Sequence, residues 1–102
     1  MYDRKGYEKV QPHILDALDK YGKHGFPVGD FLFAVLENNL MQAVGRADMY
    51  NLPVLHGICS YVYNELPIAC WGSEAKVDAW LEKKAKEHAE AVRARRTGSG
   101  PQ

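Results

Sequence analysis

A chain of 102 residues supports one domain with one core, because a chain of this size hides only about 60 to 70% of the surface it exposes when unfolded. Thirteen basic and thirteen acidic side chains cancel, which excludes the global field that draws a protein to nucleic acid or an anionic membrane; any such attraction must be local. Cys59 and Cys70 form no C-x-x-C pair, and no further Cys or His stands at zinc-finger spacing, so both are expected to be reduced, buried thiols.

The opening MYDRKGYEKV carries charge where a signal peptide needs an apolar run, and no window approaches the ~18 apolar residues of a membrane span. A cytoplasmic protein is expected. Residues 1–10 read as a flexible N-terminus, 11–92 as the helical domain and 93–102 as a basic, disordered tail.

Pro12 suits a first helical turn, where its missing N–H has no partner to lose, and Ile14, Leu15, Leu18 and Tyr21 follow on one face. The spacing predicts a first helix over Gln11 to Lys23, closed near Gly22 and Gly25 by a left-handed residue. Phe26, Pro27, Val28 and Gly29 form a bend, and Asp30 can cap a second helix. Its stripe of Phe31, Leu32, Val35, Leu36, Leu40, Ala43 and Val44 predicts one continuous helix to about Ala47.

Asp48 or Asn51 caps a third helix, with Pro53 in its first turn and Val54, Leu55, Ile58, Cys59, Val62 and Tyr61 toward the core. Gly57 inside it costs about 1 kcal/mol relative to alanine and so marks a close crossing. Asn64 and Pro67 end that helix, and Trp71 is expected to pack inward. Ser73 caps a fourth helix with Val77, Trp80 and Leu81 as its stripe, which thins beyond Lys84. The expected fold class is all-α, a single four-helix bundle-like domain.

The blocks HGFPVGDFLFAVLENNLMQAVGRAD, YVYNELPIACWGS and VDAWL resemble a family of small, functionally uncharacterised proteins encoded by bacteria and their phages. Its pattern reads HG-x-P-x-G-x-FL-x-AVL-x-N-x-L-x-x-A-x-x-RAD, then YN-x-x-P and WGS, and the resemblance spans His24 to Leu81. It implies an accessory protein of mobile elements and transfers no mechanism. The chain departs from the pattern at Pro53 and in its basic C-terminus.

Motifs with known chemistry are weak. The PVGD bend before the second helix offers N–H groups to an anion, but no glycine fingerprint or following lysine supports it and Asp30 would repel phosphate. His56 and Cys59 share a helix face among aliphatic neighbours, a poor setting for a thiolate nucleophile. The histidines at 13, 24, 56 and 88 show no metal-ligand spacing. Asp16 and Asp19 read as a solvated face, and the arginines of AVRARRTGSGPQ as complements to a helix C-terminus. No catalytic residue, metal or cofactor is expected, and nucleic acid is an unlikely partner.

Arg46 is the only Arg or Lys between Lys23 and Lys76. Along one continuous helix it would share adjoining rows with Asn38, Asn39 and Gln42, so guanidinium and amides would converge on one polar ligand unless Asp48 or Glu37 pairs with the arginine. Apolar residues also point more than one way around the Phe31–Phe33 and Tyr61–Tyr63 runs. That excess predicts a homo-oligomer, a two-fold dimer first, burying Phe33, Met41 and Tyr61 or Tyr63. The expected function is a non-enzymatic binding protein that takes up a small polar or anionic ligand, nucleotides among the candidates, or a host protein at Arg46, Asn38, Asn39 and Tyr63. The alternative is a scaffolding module with no small ligand.

Overall fold

The structure, a computed structural model, describes residues 4–99, with side chains described through Arg93. Five α-helices form it: α1 (Pro12–His24), α2 (Asp30–Leu36), α3 (Leu40–Arg46), α4 (Leu55–Glu65) and α5 (Glu74–Ser99), with single 3-10 turns at Leu52–Val54 and Ile68–Cys70. The fold is all-α, as the periodicity predicts, with one helix more than expected. The backbone of α5 is helical to Ser99; the side chains of Arg95 and Arg96, the bulk of the expected basic tail, lie outside the described residues.

Local signals account for most boundaries. Pro12 opens α1, and Gly25 closes it with φ +70°, its N–H returning to the Tyr21 carbonyl at 2.8 Å. The Ser73 hydroxyl accepts from the Lys76 N–H at 3.1 Å at the start of α5. Asp48 Oδ1 accepts from the N–H groups of Tyr50 and Asn51 and so forms the turn that leads to Pro53 and α4.

The extra helix comes from a break in the expected second one. Asn38 adopts φ +62°, and the N–H groups of Asn39 and Asn38 return to the carbonyls of Ala34 and Val35 at 2.9 and 3.1 Å. This is a Schellman end with asparagine in the left-handed position. Asn39 then caps α3, its side chain accepting from the Gln42 N–H at 3.3 Å. The stripe that continues from Leu36 to Leu40 and Val44 in the sequence is therefore cut, and only Ala43 of α3 is buried.

Leu18, Tyr21, Leu32, Leu36, Ile58, Tyr61, Val62, Cys70, Val77 and Trp80 form the core. Two hydrogen bonds cross it: the Tyr21 hydroxyl donates to the Cys70 carbonyl at 2.7 Å, and Trp80 Nε1 donates to the Tyr21 carbonyl at 3.0 Å. These two bonds tie α1, the 3-10 turn before Trp71 and α5 together. The Gly72 N–H donates to the Leu36 carbonyl at 2.7 Å, so a distant turn satisfies an end group of α2.

The segment before α1, expected to be flexible, is anchored at Arg4, Tyr7 and Val10. Val10 is buried in the core, with its Cγ2 3.2 Å from where a Cβ on Gly57 would stand, the close crossing that Gly57 foretold. Tyr7 meets the Tyr61 ring edge-on at 5.0 Å, and Arg4 donates to Asp16 and Asp19 at 2.6 and 2.7 Å. Asp16 and Asp19 are thus anchors for this strap, not a purely solvated face. They lie one turn apart on α1, which lets one guanidinium reach both.

Candidate functional site

The break after α2 separates the residues that a continuous helix would have gathered. Arg46 is exposed at the end of α3, and its Nη1 donates to the Asp30 carbonyl at 3.4 Å instead of pairing with Asp48 or Glu37. It tethers the end of α3 to the start of α2. Asn39 is committed to its capping bond. Neither lines the cleft that Asn38 and Tyr63 share.

That cleft, about 210 Å³, is lined by Val35, Asn38, Cys59, Val62, Tyr63 and Trp71. Asn38 and Tyr63 both line it, the left-handed turn at Asn38 bringing that residue opposite α4. The Tyr63 ring lies 5.6 Å from that of Trp71. Trp71 packs inward against the core, and its Nε1 is buried with no acceptor among the described residues.

Cys59 is exposed on the wall of this cleft, which corrects the expectation of a buried thiol; Cys70 is buried as expected. Partial burial pushes the Cys59 thiol up, and full burial pushes that of Cys70 up to about 12. Both cysteines therefore hold their protons at neutral pH, the opposite of what a thiolate nucleophile needs. Among the described residues no three His, Cys, Asp or Glu side chains gather as a metal site. No described helix is long and apolar enough to cross a membrane.

The expected interface residues separate too. Tyr61 is fully buried in its own chain's core and has no surface left to offer a partner, because its ring closes the space between α1, α4 and the strap. Phe33 is half-buried against the same core. Met41 is 81% exposed and does not stand alone. Leu40 and Val44 on the same helix, and Met49, Tyr50 and Leu52 in the segment that follows, are all exposed.

Leu40, Met41 and Val44 fall within an arc of about 100° around α3, while Ala43 points to the core. The helix is amphipathic with its larger apolar side outward. Leu40 and Val44 belong to the apolar stripe expected of one continuous helix, and both are exposed. The signal that distinguishes the break from a continuous helix is the Asn38–Asn39 pair, which suits a left-handed turn followed by a cap better than a helix interior.

Comparison of the chain with protein-family models, with curated proteins and with solved structures finds no match in any of the three.

Proposed function

We propose that this chain is a non-enzymatic interaction protein that self-associates through α3 and the segment after it. The observation that carries the reading is the outward apolar side of α3, where Leu40, Met41 and Val44 face solvent with Met49, Tyr50 and Leu52 close behind in sequence. A small protein loses free energy for every large side chain left in water, roughly 25 cal/mol per Å² of apolar surface, unless a partner covers it.

A second copy of the chain is the occupant that best fits this surface. The exposed arc of α3 carries no charge, so two copies facing each other across a two-fold axis bury no like-charge pair.

The small-ligand reading at Arg46 has less support, because its Nη1 donates to the Asp30 carbonyl and the residue does not line the Asn38–Tyr63 cleft. An accessory role in a mobile element, suggested by the family resemblance, accords with a small self-associating protein and depends on no catalytic residue.

Sedimentation velocity at tens of micromolar tests the proposal. The parent chain is expected to sediment as a dimer and Met41→Glu as a folded monomer with the same far-UV dichroism. A compact monomer for the parent would overturn it.

A further inference from the structure

A second cavity, about 380 Å³, opens between the end of α1 and the middle of α5, lined by Lys23, His24, Phe26, Lys84, Glu87 and His88. Its volume lies in the lower part of the ~300–1,000 Å³ range of small-molecule sites. Gly25 makes the junction possible. Its φ of +70° turns the chain, and a Cβ there would stand 2.3 Å from the Cβ of Lys84, so only glycine lets α1 end directly against α5. His24 and Phe26, on either side of that glycine, are thereby held opposite Lys84 and His88.

Two features of this cleft exceed what helix ends ordinarily carry. Lys23 and His24 complement the negative end of α1 and on their own need no further explanation. Lys84 and His88, however, lie in the interior of α5 and face the same space, so cationic and imidazole groups from two elements converge, with Glu87 as the one carboxylate. Lys84 Nζ lies 3.3 Å from Glu87 Oε1 and 4.8 Å from the Trp80 ring centroid, which limits where it can range. The second feature is aromatic. Phe26 is half-exposed, and its ring centroid lies 5.4 Å from that of His24 with the planes 35° apart.

A ligand suited to this arrangement combines an anionic group with a flat ring. Ammonium and imidazole N–H groups from facing helices bind phosphate oxygens by charge-assisted bonds. An exposed aromatic ring beside a basic surface is how proteins hold a nucleobase by stacking, without sequence readout. We propose that the α1–α5 cleft binds a nucleoside phosphate, with the phosphate between Lys23 and Lys84 and the base against Phe26. The phosphate would compete with Glu87 for Lys84. The same chemistry is offered by a free nucleotide and by the end of a single-stranded oligonucleotide.

Calorimetric titration of the full chain with adenosine monophosphate, adenosine, inorganic phosphate and a short single-stranded oligonucleotide tests this. Adenosine monophosphate or the oligonucleotide is expected to bind more tightly than adenosine or phosphate alone, because both halves of the site are then used. Phe26→Ala and Lys84→Gln should each weaken that binding by about tenfold, the size of a lost stacking or charge contact. Tighter binding of the oligonucleotide assigns the site to a nucleic-acid end, and tighter binding of the mononucleotide to a free nucleotide. No binding of either, equal binding of inorganic phosphate, or binding that both variants leave unchanged would overturn the proposal. The cleft lies within one chain, so the titration stands whatever sedimentation shows.

Discussion

The Tyr61 hydroxyl donates to Asp19 Oδ1 at 2.6 Å, joining α4 to α1 at the edge of the core. Arg4 donates to the other oxygen of the same carboxylate at 2.7 Å. Burial, and then the hydrogen bond to Asp19, push the Tyr61 phenol above its ordinary range, so it remains a donor through mildly alkaline pH. Tyr61→Phe should cost about 1.5–3 kcal/mol, the range for a hydrogen bond to a charged group, while leaving the packing intact. Urea denaturation would show a lower midpoint with an unchanged slope; an unchanged midpoint would show that the bond adds nothing.

Arg4 also makes acid stability depend on the strap. Its guanidinium holds the Asp16 carboxyl below the usual carboxylate range. Because the folded-state value is the lower one, the unfolded chain takes up the proton first as pH falls. The stabilisation is therefore complete above the ordinary carboxylate range and is lost as pH falls through the depressed value. The melting temperature of the parent should exceed that of Arg4→Ala at pH 7, with the gap closing below about pH 4. A gap that is constant from pH 7 to 3, or present only in acid, would contradict the ion pairs.

The left-handed turn at Asn38 predicts an unusual order of substitutions. Glycine pays no Cβ penalty at φ +62°, so Asn38→Gly should be neutral or slightly stabilising. Asn38→Ala should cost about 1 kcal/mol and Asn38→Val more, because a side chain without a local hydrogen bond clashes in that region. Were α2 and α3 one continuous helix, the order would instead be alanine best and glycine worst. Equilibrium unfolding of the three variants distinguishes the two outcomes.

The two thiols should react in sequence. With Cys59 exposed and Cys70 buried, iodoacetamide at pH 8 should modify Cys59 alone in the native protein, slowly because its thiol keeps its proton. Cys70 should react only in denaturant. Intact-mass measurement over time reads both steps, and equal native rates would contradict the packing of the turn at Ile68–Cys70.

Several elements could be read residue by residue. Pro12, Gly25 and Ser73 act within a few positions of themselves, so the ends of α1 and the start of α5 follow from short-range hydrogen bonding and allowed backbone angles. Leu18, Tyr21, Ile58 and Val77 sit where helical spacing put them. The error at α3 had a local cause as well: apolar spacing continued across Glu37–Asn39, and the spacing outweighed two asparagines better suited to a turn and a cap.

Chain order therefore carried the fold class, most helix boundaries and the identity of the core, because helix formation and capping depend on neighbours within about four positions. Which polar groups meet was settled by packing across long separations. Arg4 reaches Asp19 over fifteen positions, Tyr61 reaches the same carboxylate over forty-two, and Trp80 reaches the Tyr21 carbonyl over fifty-nine. The junction of His24 and Phe26 with Lys84 and His88 likewise exists only because Gly25 lets two helices touch. Periodicity says which face of a helix is apolar; it does not say whether that face meets the chain's own core or, as at Leu40, Met41 and Val44, is left in solvent.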